Sequence, residues 1–85
     1  MSESKRIRTR EELEQVLADR RSHEFKLLLM PGVFSRRTLR MFKSGQIGVE
    51  NHVDGTRYTM TMDKLLSGAE NIHFFMERGN FVLDE

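Results

Sequence analysis

The 85-residue chain contains no cysteine, only one proline, and no long apolar run. The absence of cysteine excludes disulfide bonds, thiolate metal ligands and a cysteine nucleophile. The longest apolar run, from Leu27 to Met30, ends at Pro31 and is far too short to span a bilayer. Small secreted domains often depend on disulfides, and the N-terminus shows no signal-peptide pattern. The sequence therefore favours a cytoplasmic location.

The sequence motifs of common enzymes are also missing. There is neither a Gly-x-x-x-x-Gly-Lys loop nor a Gly-x-Gly-x-x-Gly loop to cradle a nucleotide. His23, His52 and His73 are too widely spaced to form a helical pair of metal ligands. Ser35, His52 and Asp54 lack the glycine context of a nucleophile elbow. The sequence therefore predicts no catalytic residue, no metal site and no cofactor.

Charge is distributed unevenly although the net charge is only +1. Residues 1–45 contain eleven Lys or Arg against six Asp or Glu, whereas residues 46–85 contain three against seven. Ten of the fourteen basic residues are arginine, whose guanidinium suits bidentate recognition of carboxylates and phosphates. Charge blocks of this kind mark a partner surface in some proteins and an ordinary solvated surface in others.

Four strand-like runs separated by turn signals occupy the middle of the chain. The runs cover residues 25–30, 33–43, 46–53 and 56–62. The turn signals between them are Pro31-Gly32, Ser44-Gly45 and Asp54-Gly55, of which Asp-Gly is the strongest hairpin signal. Because short turns join consecutive runs, the pattern predicts a four-stranded antiparallel meander.

Two capping-box patterns predict a helix on each side of the meander. Thr9 followed by Glu12 predicts an N-terminal helix over residues 10–22. Ser67 followed by Glu70 predicts a C-terminal helix over about 69–78, with a helical turn over 63–66 before it and a possible short final strand over 81–83 after it. We expect residues 1–8 to be a flexible basic tail and residues 9–83 to form a single α+β domain.

Alternation along the strands assigns their side chains to two faces. The predicted inner face holds Leu39, Met41, Ile47, Val49, Val53, Tyr58, Met60 and Met62. The predicted outer face holds Arg36, Thr38, Arg40, Glu50, His52, Arg57, Thr59 and Thr61. The run over residues 25–30 is apolar on both faces, which is typical of a central strand covered on both sides.

Three segments resemble small α+β proteins of bacteria and their phages that have no assigned activity. The segments cover residues 32–37, residues 51–56, and residues 71–72 together with 77–79. The resemblance implies a short α+β fold, carried in some cases on mobile elements. It implies no catalytic residue.

The outer face is the predicted binding surface. The span from Phe25 to Val49 contains five basic residues and no acidic residue. The residues assigned to partner binding are Phe34, Arg36, Thr38, Arg40, Phe42, His52 and Arg57. We expect a small non-enzymatic binding or regulatory module that acts through a basic sheet face, with a protein partner, or a second copy in a homodimer, favoured. Binding of single-stranded or non-specific nucleic acid is the alternative, and a small enzyme ranks third. A covering helix would remove this surface.

Overall fold

The structure, a computed structural model, describes residues 4–68 and 70–84. These residues form an antiparallel sheet of six strands with three helices, so the α+β class is confirmed. In chain order the elements are β1 (Ser4–Arg6), α1 (Arg10–Leu17), β2 (His23–Met30), β3 (Val33–Met41), β4 (Ile47–Asn51), β5 (Arg57–Met60), α2 (Met62–Ser67), α3 (Ile72–Glu77) and β6 (Phe81–Asp84). Across the sheet the strand order is β1-β6-β2-β3-β4-β5.

The four consecutive strands β2 to β5 are neighbours in chain order. Leu39 on β3 pairs with Val49 on β4, and Val49 pairs with Tyr58 on β5. The β4–β5 turn closes with a bond from the Gly55 amide to the Asn51 carbonyl, and Gly55 has a φ of 74°, which favours glycine. The alternation and the turn signals therefore place these strands correctly.

The sheet has six strands rather than the four of the predicted meander, because the N-terminal end adds β1 and the possible final strand over residues 81–83 is present as β6. The final strand β6 lies inside the sheet, where it pairs with β2 through Phe81 opposite Leu27 and Leu83 opposite Phe25. The Phe25 and Phe81 rings stack with centroids 4.7 Å apart. These contacts join positions more than 50 residues apart, and no local pattern specifies such a pairing.

The expected flexible tail over residues 1–8 needs correction from Ser4 onward. Residues Ser4–Arg6 form β1 along the outer side of β6, and the Ile7 amide donates to the Phe81 carbonyl at 2.9 Å. Ile7 is fully buried in the core. An isolated isoleucine in a basic stretch does not predict a strand, because β6 supplies its pairing partner. Residues 1–3 lie outside the described residues.

The first helix confirms one capping box, and the C-terminal helices correct the other. In α1 the Thr9 hydroxyl accepts from the Glu12 amide, and Glu12 reaches back to Thr9. The helix ends at Leu17 rather than at residue 22, and Arg20 has left-handed backbone geometry (φ 60°). Ser67 ends α2 instead of capping α3, and its hydroxyl donates to the Asp63 carbonyl. Residue 69, where the predicted helix starts, lies outside the described residues.

All three helices pack on one face of the sheet. The core on that side comprises Ile7, Leu13, Leu17, Phe25, Leu27, Leu39, Ile47, Val49, Met62, Leu65, Leu66, Ile72, Met76, Phe81 and Leu83. Two inner-face assignments change. Val53 is 75% exposed because it lies in the β4–β5 turn, and Met62 enters the core from α2 rather than from a strand. The result is a two-layer domain with helices over one sheet face.

Candidate binding face

The sheet face opposite the helices, which we call the open face, has no helix of the described residues packed on it. Its strand residues are Arg6, Glu24, Lys26, Leu28, Phe34, Arg36, Thr38, Arg40, Gly48, Glu50, Arg57, Thr59, Val82 and Asp84, to which Phe42 and His52 add their side chains at the strand ends. The structure thus brings all seven sequence-assigned binding residues onto one surface. The covering helix considered from the sequence lies on the other side.

Two aromatic rings on the open face remain accessible beneath cationic side chains. Phe34 is 42% exposed and Phe42 is 38% exposed. The Lys26 ammonium lies 4.6 Å from the centroid of the Phe34 ring. The Arg40 guanidinium lies 5.7 Å from the centroid of the Phe42 ring. Each such contact is worth about 0.5–1 kcal/mol at an exposed site, which favours the cation lying over the ring without burying it.

The charge of the open face is mixed rather than basic. The open face carries five cations and three carboxylates; the cations are Arg6, Lys26, Arg36, Arg40 and Arg57. The ion pairs are Arg36 with Glu24 at 3.8 Å, Arg57 with Glu50 at 3.6 Å, and Lys26 with Asp84 at 3.6 Å. The expectation of a basic face is therefore corrected. Asp84 arrives on β6, a strand whose position in the sheet the sequence pattern does not indicate, and Glu24 lies just before the predicted start of β2.

Three hydrogen bonds fix the polar centre of the open face. The Thr38 hydroxyl and the His52 ring nitrogen Nε2 are 2.6 Å apart. His52 also extends the β3–β4 ladder, since its amide donates to the Arg36 carbonyl. Arg40 donates from Nε to the Arg20 carbonyl at 3.0 Å. These contacts hold the side chains of Arg40 and His52 in place on the open face.

A shallow groove of about 540 Å³ crosses the open face from β3 to β5. Gly48 forms its floor, because a side chain there would stand 2.8 Å from two atoms of the Phe42 ring. The walls carry Thr38, Arg40, Phe42, Glu50, Arg57 and Thr59. The groove therefore offers both signs of charge, hydroxyl groups and one aromatic ring to a bound side chain.

An apolar tip at the β2–β3 hairpin, formed by Leu29, Met30 and Val33, is a surface that the sequence reasoning missed. These side chains are 54%, 63% and 44% exposed, and Phe34 joins them to the open face. The run over 25–30 is covered only in part because β6 pairs with β2 no further than Leu27. An exposed apolar patch of this kind often marks an interaction site. The only sequence signal for this apolar tip is the Pro-Gly turn that closes the hairpin.

Arg37 shows how strand alternation separates neighbouring arginines. Its side chain points to the helix side, where Nε donates to Glu70 at 3.0 Å and Nη1 donates to the Ser35 hydroxyl at 2.8 Å. The side chains of Arg37 and Glu70 are only 13% and 10% exposed. Arg37 therefore ties β3 to the α2–α3 connection, whereas Arg36 belongs to the open face.

The carboxyl groups whose pKa values are lowered form hydrogen bonds with residues close to them in the chain. Hydrogen bonds from the Thr56 hydroxyl and amide lower the pKa of Asp54 in the β4–β5 turn. The amide of Arg21 and the ring of His23 lower the pKa of Asp19, and the Arg8 amide lowers the pKa of Glu12 in the capping box. Within the described part of the chain, no cluster of three or more His, Asp or Glu could hold a metal ion. No helix among residues 4–68 and 70–84 is long and apolar enough to cross a membrane.

Comparison with known proteins does not assign the chain to a family. No family model, no curated protein and no solved structure matches the chain. The resemblance to small α+β proteins of bacteria and phages stays a prediction.

Proposed function

We propose that this protein is a small protein-binding module whose open face, extended by the hairpin tip, docks onto a partner protein. The observation that carries the proposal is that a whole sheet face bears exposed aromatic rings and arginines while all three helices pack on the opposite side. Phenylalanine and arginine are enriched where protein interfaces are buried. Monomeric sheets can expose one face, but that face is then usually polar.

The dimensions of the open face suit a protein partner. The nine residues of β3 span about 30 Å at about 3.4 Å per residue. Together with the width of its neighbouring strands, this gives a surface of the order of the ~800 Å² that each partner contributes to a standard interface. The apolar tip lies at one end and the Phe42 groove at the other, so a partner would find two anchoring points.

The paired charges favour a protein over nucleic acid. Phosphate neutralisation by lysine and arginine supplies most non-specific nucleic-acid affinity, but three of the five open-face cations already contact a carboxylate. The Lys26 and Arg36 cations also lie over the Phe34 ring, so a base stacking on that side would have to displace them. Nucleic-acid binding remains the second candidate because exposed rings on an open sheet can stack with bases.

A charge-reversed double variant tests the protein-binding function. Replacing Arg36→Glu and Arg40→Glu reverses two open-face charges without touching the core, since both side chains are exposed. Partners captured from the source cell by the wild-type chain should be lost from this variant. The matched control reverses Glu11→Arg and Glu14→Arg on α1, away from the open face, and should retain them. Capture that survives the arginine reversal would contradict the proposed surface.

Oligonucleotide binding measured at a series of salt concentrations tests the alternative function, nucleic-acid binding. A labelled single-stranded oligonucleotide should show little affinity for the protein even at low salt. Tight binding that weakens steeply as salt rises would instead identify phosphate recognition and overturn the preference for a protein partner.

A further inference from the structure

The two edge strands of the sheet differ in their protection against pairing with another strand. β1 has three residues, and two of them are the cations Lys5 and Arg6. Short, charged edges resist the addition of a further strand. β5 has four residues and a single charge, Arg57, at its turn end, while Tyr58 and Thr59 are residue types that favour strands. Of the two edges, β5 is the open one.

The backbone of β5 presents unpaired groups on its free side. Asn51 directs its amide and carbonyl towards β5, since its amide donates to the Thr56 carbonyl and its carbonyl accepts from Gly55. Antiparallel pairs alternate, so Tyr58 and Met60 make the ladder bonds to β4, and Arg57 and Thr59 point their amides and carbonyls outward. The structure gives these four outward groups no hydrogen-bond partner among residues 4–68 and 70–84.

We propose that the free edge of β5 pairs antiparallel with β5 of a second copy of this chain, about a two-fold axis beside Tyr58. The outward groups fix the register. Arg57 of each copy exchanges two backbone hydrogen bonds with Thr59 of the other, and Tyr58 faces Tyr58 between these two pairs. The pairing uses only backbone groups that have no partner within the described part of one chain, and it leaves the β4–β5 ladder intact.

The side chains along β5 suit this symmetric register. Arg57 lies opposite a threonine, so no two like charges face each other directly. The two Tyr58 side chains form a non-hydrogen-bonded pair, the arrangement in which opposite side chains approach most closely. Tyr58 and Met60 pack only partly against the core of their own chain, and this half-buried apolar surface lies at the edge that the second copy would cover.

The dimer joins two open faces side by side, and of their side chains only those of Arg57 and Thr59 lie at the junction. Two six-stranded sheets would become one continuous sheet, and the grooves beside Arg57 in the two copies would become neighbours. A four-residue edge buries far less than the ~800 Å² per partner of a stable complex, so we expect a dissociation constant in the micromolar to millimolar range. The inference does not rest on the proposed function, because the pairing is made by the outward backbone groups of Arg57 and Thr59 rather than by side chains of the open face.

Sedimentation equilibrium of the full chain, from micromolar to millimolar concentration, measures the pairing. The wild-type mass should rise from monomer towards dimer. Thr59→Pro removes an outward amide that β4 does not use, and proline is tolerated at such an edge position, so this variant should remain folded and monomeric. The matched control Thr59→Val keeps the amide and should dimerise like the wild type.

A charge pair at position 59 tests the register and does not depend on proline being tolerated. Thr59→Lys places a cation opposite Arg57 of the other copy at two symmetric points, whereas Thr59→Glu places a carboxylate there. The dissociation constant should rise roughly 2- to 30-fold for lysine and fall by a similar factor for glutamate.

Three outcomes would overturn the proposal. A wild-type chain that stays monomeric into the millimolar range would show that β5 does not pair with β5 of a second copy. A dimer equally stable with lysine and glutamate at position 59 would place the interface elsewhere, as would a dimer that persists in a folded Thr59→Pro variant. The Arg36→Glu, Arg40→Glu variant should dimerise like the wild type, which keeps this result separate from the open-face test.

Discussion

The two faces of the sheet use similar residues in opposite ways. On the helix side, Leu39 is fully buried and Arg37 forms an ion pair with Glu70 that is almost hidden from solvent. On the open face, Phe34 is 42% exposed and Arg36 pairs with a half-exposed carboxylate. Residue type alone therefore does not decide the role of a side chain here. The face on which the strand places it decides whether it stabilises the fold or is available to a partner.

The largest expected effect contrasts two apolar truncations. Leu39→Ala removes a fully buried side chain and should lower the free energy of unfolding by about 2–5 kcal/mol. Phe34→Ala removes a larger but exposed side chain and should cost about 1 kcal/mol, mainly from lost cation–π contacts. Urea denaturation of both variants checks the contrast. Equal losses would mean that the open face is also part of the folding core.

Two neighbouring arginines, Arg36 and Arg37, extend the comparison of the two sheet faces to charged side chains. Arg37→Ala leaves the Glu70 carboxylate nearly buried and unpaired, which should cost about 3 kcal/mol. Arg36→Ala loses an exposed pair and should cost less than about 1 kcal/mol. Thermal and urea unfolding measure both. Because the penalty arises from the orphaned carboxylate, adding Glu70→Ala to Arg37→Ala should recover part of the loss; no recovery would mean that the arginine acts through packing alone.

A smaller effect is expected at the floor of the groove. Gly48→Ala places a methyl group against the Phe42 ring, which is exposed and can swing away. Alanine also relieves the entropic cost of glycine in a strand, so stability should change by no more than about 1 kcal/mol. The ring resonances of Phe42 should shift in the NMR spectrum. Unchanged resonances would show that the ring does not lie over Gly48 in solution.

The smallest expected effect is a change in how the free energy of unfolding depends on pH. The pKa of Asp54 is lowered in the folded state by Thr56, so its contribution to stability is present above the unfolded pKa and is lost as the pH falls through the folded pKa. Asp54→Asn removes this titration while keeping a turn-forming side chain. Its unfolding free energy should therefore fall less on acidification than that of the wild type. An identical acid response would exclude a contribution from the turn carboxylate.

The sequence predicts those parts of the fold that depend on neighbours in the chain. The Thr9 capping box, the Asp54-Gly55 turn and the alternation of β3 each follow from a few adjacent residues. The seven predicted binding residues could be assigned to one face for the same reason, because alternation along a strand is local. What they contact could not be assigned, since Asp84 reaches Lys26 only through the position of β6 in the sheet.

The long-range pairings explain the remaining errors. Ile7 enters the core only because β6 carries β1, and the hairpin tip is exposed only because β6 stops pairing at Leu27. Arg37 finds Glu70 across 33 positions. Each of these contacts joins segments whose own patterns are weak, so the cooperative packing of the sheet, rather than local propensity, determines them.

Photocrosslinking at two matched phenylalanines tests the central claim most directly. Phe42 on the open face is 38% exposed and Phe74 on α3 is 42% exposed, so each can be replaced in turn by p-benzoylphenylalanine with similar access to solvent. Irradiation in the source cell should give a discrete, nuclease-resistant protein adduct from position 42 and none from position 74. That adduct should disappear when Arg36→Glu and Arg40→Glu are added. An adduct only from position 74, or equal adducts from both positions, would contradict the assignment of partner binding to the open face.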